Sequence, residues 1–174
     1  MKKVIKSILN PIVESIGKFF YPDINSENIS FYILMRYIFF QKIISVNKNV
    51  PWPVHSSSIV LAPERIENNG SLPGYTPASF IDGRNGIKIG KNCWLGPKIS
   101  IISMDHDNYN FSEYVEDKPI IIGNDCLLTT NCVILPGVEL GDHTIVAAGA
   151  VVTKSFPKGN QIIGGNPAKV IKEL

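Results

Sequence analysis

From residue 122 onward a large aliphatic side chain stands at every sixth position: Ile122, Leu128, Ile134, Leu140, Val146 and Val152. The fifth position of each hexad reads Cys126, Cys132, Val138, Thr144, Ala150 and Phe156, mostly small and apolar. Gly123 and Gly141 follow the aliphatic in second place, and the same frame fits Ile89, Leu95 and Ile101, with Gly90 and Gly96 in second place. Self-similarity at a fixed short period marks a repeat architecture. A helix turns every 3.6 residues and cannot hold aliphatics strictly six apart, while a sandwich would show two-residue alternation and hairpin signals. Each hexad therefore supplies one short strand and one corner, and three hexads close a triangular coil. With the aliphatics pointing inward, Ile122 is placed beneath Leu140, Leu128 beneath Val146 and Ile134 beneath Val152. Successive coils then pair as parallel strands about 4.8 Å apart. Glycine, Asn and Asp at the corners, as in Lys91-Asn92, Asn124-Asp125 and Asp142-His143, tolerate positive φ. The predicted fold is mainly β, a parallel β-helix over residues 51–158 with a C-terminal arm over 159–174.

Residues 1–50 read as helical. Ser26 can cap a helix whose positions Ile29, Ile33, Arg36/Tyr37 and Phe40 recur at helical spacing, and Pro51 and Pro53 end it. A solenoid needs its open end covered, so this segment is expected to be an N-terminal cap. The basic start Met1 to Lys6 is followed by Asn10, Pro11 and Glu14 without a small-residue cleavage site, so no signal peptide is assigned. The apolar stretch 29–46 carries Arg36, Gln41 and Lys42, which argues against a spanning helix. Weak peripheral contact with a membrane is the expectation that remains for it.

Composition narrows the function. A net charge of +2, with no Lys/Arg run interleaved with aromatics, gives no support to nucleic-acid binding. Apolar residues at 44% against 18% charged argue for an ordered chain. Cys93, Cys126 and Cys132 are odd in number and sit in apolar runs, as buried thiols kept reduced in the cytoplasm would.

The repeat breaks once. Between Ile101 and Ile122 the spacing departs from a multiple of six, and the intervening residues, about 105–119, are polar and aromatic. A solenoid cannot bury them, so they should form an extruded loop. A second irregular stretch, 70–86, precedes the coil that carries this loop and could line a pocket with Tyr75, Asp82, Arg84 and Asn85, or be a structural insertion.

The hexads, the closing run from Gly137 through Lys154 and the segment Gly165-Asn166-Pro167-Ala168-Lys169 resemble the hexapeptide-repeat acyltransferase family over about residues 52–172. The opening Pro51-Trp52-Pro53-Val54-His55 resembles sugar and polysaccharide O-acetyltransferases. The resemblance implies a left-handed β-helix, a handedness that local spacing does not show and that runs against the general preference for right-handed crossovers. It also implies acetyl-CoA as co-substrate without a metal, a saccharide acceptor and a homotrimer with sites shared between chains. In that family the extruded loop begins with a His that overhangs the active site, a place taken here by His106. An imidazole with a reference pKa of about 6.5 can take the acceptor hydroxyl's proton as the C–O bond forms and hand it to the CoA thiolate. Direct transfer in a ternary complex is expected, with a backbone N–H stabilising the oxyanion. Asp82, Asp105 or Asp107 would orient the ring. The resemblance further implies that Ala147, Ala148 and Gly149 border the pantetheine arm, and that Lys154 and Lys169 face the CoA phosphates as point charges.

Competing readings attach to several of these residues. His143 is by default a solvated corner residue, His55 a capping or surface residue, and Trp94 an outward ring at a subunit interface. A β-helix carbonic anhydrase would need three imidazoles around zinc, and His55, His106 and His143 show no paired spacing. N-acetylation of an amino sugar, serine acetylation and a non-catalytic scaffold of the same fold compete with transfer to a sugar hydroxyl.

Overall fold

The inward aliphatics of successive hexads lie side by side, which places the core before any other feature of the molecule. The computed structural model describes residues 11–12, 14–22 and 31–174. Five parallel strands form a first face: Ile59–Leu61, Phe80–Asp82, Ser100–Ile102, Val133–Ile134 and Val151–Val152. A second face stacks Ile66–Glu67, Ile87–Ile89, Ile120–Ile122 and Glu139–Leu140. The third stacks Trp94–Leu95, Leu127–Leu128, Thr144–Val146 and Gln161–Gly165, closed by the antiparallel strand Ala168–Glu173. The chain passes from first to second to third face and back, so the fold is the parallel β-helix that the hexads predict.

The register agrees residue by residue with the six-residue frame. Ile122 pairs with Leu140, Leu128 with Val146 and Ile134 with Val152. Ile89, Leu95 and Ile101 continue the same three rows. Leu128, Ile134, Val146, Val152, Ile89 and Ile101 are fully buried. Each such aliphatic contributes about 1.5–3 kcal/mol on burial. The fifth-position residues, Cys126 to Phe156, are buried behind them, and Thr144 satisfies its hydroxyl on the Gly141 carbonyl at 2.7 Å.

At the corners, Asn92, Asp125 and His143 adopt positive φ of 57°, 55° and 55°. The second-position glycines serve a different need. A Cβ on Gly90 would meet the Gly123 carbonyl carbon at 2.6 Å, and one on Gly123 would meet the Asp142 nitrogen at 2.6 Å. These glycines are required by the close approach of the next coil.

The irregular stretch 70–86 belongs to the solenoid. Ile81 and Ile87 are fully buried: Ile81 continues the Ile101 row on the first face, and Ile87 pairs with Ile120 on the second. The row residues Ile81 and Ile89 are eight positions apart, and this longer corner hides the six-residue frame.

Before the solenoid, residues 11–12 and 14–20 are helical, and an α-helix over Phe31–Ile38 widens into a π-type turn at Phe39–Ile43. Ser26 and Ile29 of the predicted helix start lie outside the described residues. Gln41, an apparent polar interruption of an apolar run, is fully buried. Its Oε1 accepts from Tyr21 Oη (2.7 Å) and the Val54 N–H (2.9 Å), and its Nε2 donates to the carbonyls of Asn47 and Trp52. Tyr37 Oη donates to the Tyr75 carbonyl at 2.7 Å. The helical segment is thereby docked on the first coil. Among the described residues, no helix is long and apolar enough to cross a membrane.

Candidate active site

The extruded loop leaves the edge between the first and second faces, after Ser100–Ile102 and before Ile120–Ile122. The turn at 83–86 lies on the same edge one coil earlier, and the turn at 135–138 one coil later. The loop base is fitted between them: a Cβ on Gly86 would meet Pro119 Cβ at 3.1 Å, and one on Gly137 the Asp117 carboxylate at 3.0 Å. Within the loop, Asp105–His106 pairs antiparallel with Tyr114–Val115, setting His106 opposite Tyr114.

The His106 imidazole is exposed, and its Nδ1 lies 2.7 Å from the Phe111 carbonyl oxygen. A carbonyl can only accept, so Nδ1 carries a proton and donates, and in the neutral ring the lone pair is on Nε2. An imidazole in that tautomer is poised to accept a proton at Nε2.

The three carboxylates expected to orient this ring make different contacts. Asp105 accepts from the His106 backbone N–H at 2.8 Å. Asp107 accepts from the Tyr109 and Asn110 N–H groups, both at 2.8 Å, and these hold its carboxyl below the usual carboxylate range. Both shape the loop backbone, because their short side chains fold onto neighbouring amides. Asp82, only 1% exposed, is occupied by Arg84: Nε lies 3.0 and 3.1 Å from its two oxygens, Nη2 2.7 Å from Oδ2, and the Arg84 N–H 3.1 Å from Oδ1. Hydrogen bonding to Asp82, with a smaller contribution from Tyr114, holds the guanidinium protonated even more firmly than usual. The orienting partner of His106 is thus the Phe111 carbonyl, which no residue type could have announced.

Of the expected acceptor residues, Arg84 and Asn85 do reach the loop. The Arg84 Cζ lies 4.5 Å from the Tyr114 ring centroid, and that ring lies 4.6 Å from the imidazole with planes tilted by 36°. Asn85 Nδ2 donates to the Val115 carbonyl at 2.9 Å, and the Asn85 N–H to the buried Ser103 Oγ at 2.8 Å. Tyr75 stands apart from this group. Its ring packs on Tyr37 with centroids 5.0 Å apart at the seam with the helical segment, and burial raises its phenol pKa.

The expected donor residues are divided among the edges of the prism. Ala147, Ala148 and Gly149 form the corner between the third and first faces, a different edge from that of His106. Gly149 has φ of 69° and open space where a Cβ would point. Lys154 is exposed at the His106 edge, on a later coil, with Nζ 5.7 Å from the Phe156 ring centroid. Lys169 is exposed on the closing strand beside Gly164. His55 contacts Ser57 Oγ at 2.8 Å near Tyr37, and His143 contacts Asn160 Oδ1 at 3.2 Å at its corner. No group of three His, Cys, Asp or Glu side chains suited to a metal ion is gathered among the described residues.

Outward-facing positions show a contrast that the inward frame conceals. On the third face Trp94, Leu127, Ile145 and Ile162 stand in one row. On the first face the row is Ile59, Phe80, Ser100, Val133 and Val151. On the second it is Glu67, Lys88, Ile121 and Glu139. Two faces are apolar on the outside and one is charged. Trp94 is 76% exposed.

A triangular parallel solenoid with an imidazole-bearing loop extruded from one edge is the architecture of a hexapeptide-repeat protein. In fold and in sequence the chain is similar to hexapeptide-repeat acyltransferases. Residues 119–154 match the family profile described as the hexapeptide repeat of succinyl-transferase. Over 87 residues, half of this chain, it is 38% identical to WcaF of Escherichia coli K12, a protein whose name assigns it to colanic acid biosynthesis as an acetyltransferase. Over 56 residues, 32% of this chain, it is 53% identical to a 2,3,4,5-tetrahydropyridine-2,6-dicarboxylate N-acetyltransferase of Staphylococcus aureus (strain bovine RF122 / ET3-1). The chain spans 47% of the length of the first relative and 23% of the second. Among solved structures it is similar to a hexapeptide-repeat acetyltransferase of Vibrio cholerae O1 biovar eltor in complex with acetyl coenzyme A. The TM-score is 0.51 at 26% identity, covering 67% of this chain and 68% of that one.

Proposed function

We propose that this protein transfers an acetyl group from acetyl-CoA to a hydroxyl of a saccharide, with His106 as the general base. The single observation that carries the reading is the Nδ1–H contact of His106 to the Phe111 carbonyl, which makes Nε2 the proton-accepting nitrogen of the neutral ring on an exposed loop. A sugar hydroxyl is a poor nucleophile at neutral pH. Nε2 takes its proton while the oxygen attacks the thioester carbonyl, and the same nitrogen returns the proton to the departing CoA thiolate. The transfer is direct, without an acyl-enzyme. The acetyl-CoA complex of the Vibrio cholerae neighbour and the name of the Escherichia coli relative support the donor and the saccharide class.

The donor site lies between chains. His106 and the corner Ala147-Ala148-Gly149 occupy different edges of one prism, so a groove containing both needs a neighbouring copy. The apolar outer rows on the first and third faces suit burial against such a copy, and a cyclic trimer brings each His106 edge beside a neighbour's edge. Lys154, on the His106 edge, and Lys169, on the closing strand, face the CoA phosphates in this arrangement.

The Staphylococcus aureus relative favours a second reading, acetylation of an amine. Incubation of the purified protein with acetyl-CoA and a panel of sugars, amino sugars and nucleotide sugars, followed by free thiol and product mass, tests both. An added acetyl group that alkaline hydroxylamine removes is an ester and supports the proposal. A resistant one is an amide and supports the second reading. No acetylated product from the panel, with acetyl-CoA left intact, would reject both.

A further inference from the structure

We propose that Arg84 and Tyr114 are positioning residues that set the His106 imidazole, with Asp82 as their anchor in the solenoid. The inference rests on the reading of His106 as the base and explains how an exposed loop holds one ring still.

A single hydrogen bond from Nδ1 to Phe111 selects a tautomer but leaves the ring free to pivot about that bond. The remaining constraint comes from below. Asp82 lies in a strand paired on both sides, with Leu61 and with Ile102, so its carboxylate belongs to the rigid coil. By taking both Nε and Nη2 it fixes the plane of the guanidinium. The Arg84 Cζ then lies over the Tyr114 ring, 4.5 Å from its centroid, and the Tyr114 ring packs against the imidazole at 4.6 Å. Asn85, next to Arg84, ties down the strand that bears Tyr114 through the Val115 carbonyl. A continuous stack thus runs from a buried carboxylate to the reacting ring.

The same contacts argue against Arg84 as a hook for an anionic acceptor. Its charge is countered by Asp82, and its Nε and Nη2 donors are engaged. What it offers the loop is a flat face. A lysine at this position would keep the charge and lose that face.

The test uses the full-length protein labelled with 15N and long-range 1H–15N correlation spectra of the histidine rings, with His106 assigned by its loss in H106A. In the unmodified protein the His106 nitrogens should show a protonated Nδ1 and a pyridine-like Nε2. A ring free to pivot breaks the Nδ1–Phe111 bond part of the time, so in R84A and Y114A the two shifts should converge towards the average of exchanging tautomers, whereas Y114F, which keeps the ring, should match the unmodified protein. R84K should resemble R84A. Y114A leaves the Asp82–Arg84 pair intact and carries the test even where R84A fails to fold.

With the acceptor returned by the panel, R84A and Y114A should lower kcat about 10- to 100-fold, the scale of a small misplacement at a reacting centre. Both KM values should be unchanged, and R84A should add nothing in an H106A background. Unaltered ring shifts in R84A and Y114A would overturn the proposal. So would an R84A effect confined to acceptor KM and undiminished in H106A, which would make Arg84 an acceptor contact. Failure of the base reading looks different: H106A would then turn over normally, while the ring shifts would still judge the stack.

Discussion

Ile89 lies in register beside Ile122, although the chain between them includes the whole extruded loop. Neighbouring residues on those two coils, Lys91 and Asn124, are 33 positions apart, where Asn124 and Asp142 on the next pair are 18 apart. The coil with the loop is thus a normal coil with an insertion at one edge, and the core rows pass beneath it undisturbed. That separation allows an exposed, polar loop to carry chemistry while its foundation stays rigid.

The glycine column beside the second face should be intolerant of any side chain. Gly123→Ala places a Cβ against the Asp142 nitrogen and Oδ1 of the next coil, so the coils must separate locally. We expect a loss of about 1–3 kcal/mol, the usual range for overpacking, read as a lowered midpoint in urea unfolding. An unchanged midpoint would mean that the coils are less closely apposed than this contact requires.

Acidification should loosen the junction between the helical segment and the first coil. Burial, with a smaller contribution from Arg36, lowers the pKa of His55 in the folded chain below its ordinary value of about 6.5. Between that lowered value and 6.5 the unfolded chain binds more protons, so stability rises with pH through this window and is lost as pH falls through it. Protonation also removes the acceptor that His55 Nδ1 offers the Ser57 N–H at 3.1 Å. Thermal midpoints between pH 7 and 5 should fall in the unmodified protein and fall less in His55→Gln. Asp107 and Asp142 have depressed pKa values, and their contributions disappear only below about pH 4, in a separate window.

Thiol reagents should distinguish the three cysteines. The Cys126 thiol is raised by its hydrogen bond with Cys93 and by burial, and burial pushes Cys132 up to about 12. Cys93, partly exposed, is lowered through its pairing with Cys126. A thiolate-specific reagent at pH 8 should titrate Cys93 alone in the native protein and all three after denaturation. Rapid native reaction at Cys132 would contradict its placement inside the coil.

The solenoid was legible because the inward position of each hexad tolerates little but an aliphatic, so Ile122 to Val152 carry the frame openly. It became illegible where corners lengthen: Ile81 and Ile89 hold their rows, but the spacing around residues 70–86 has no period. Glycine was read as freedom of φ, which fits Gly149 but not Gly90 or Gly123, where contact with the next coil decides. His106 could be singled out because its place at the start of the interruption coincides with what the resemblance to the hexapeptide-repeat family implies. Its orienting partner could not, since a backbone carbonyl leaves no mark in a sequence and Phe111 has no pattern that points to one. The loop aromatics and Arg84 meet only because the turn at 83–86 and the loop share an edge. Two outer rows were readable in principle, through apolar residues next to each inward aliphatic, as in Trp94-Leu95 and Leu127-Leu128.

The most direct test of the catalytic account is the steady-state rate of acetyl transfer by the H106A variant, measured with acetyl-CoA and the acceptor that the panel returns. The imidazole is exposed and makes no core contact, so the variant should keep its fold and its KM for acetyl-CoA. Its kcat should fall by about 10²–10⁴-fold, the usual worth of a general base. A folded H106A protein that turns over at nearly the unmodified rate would contradict the account.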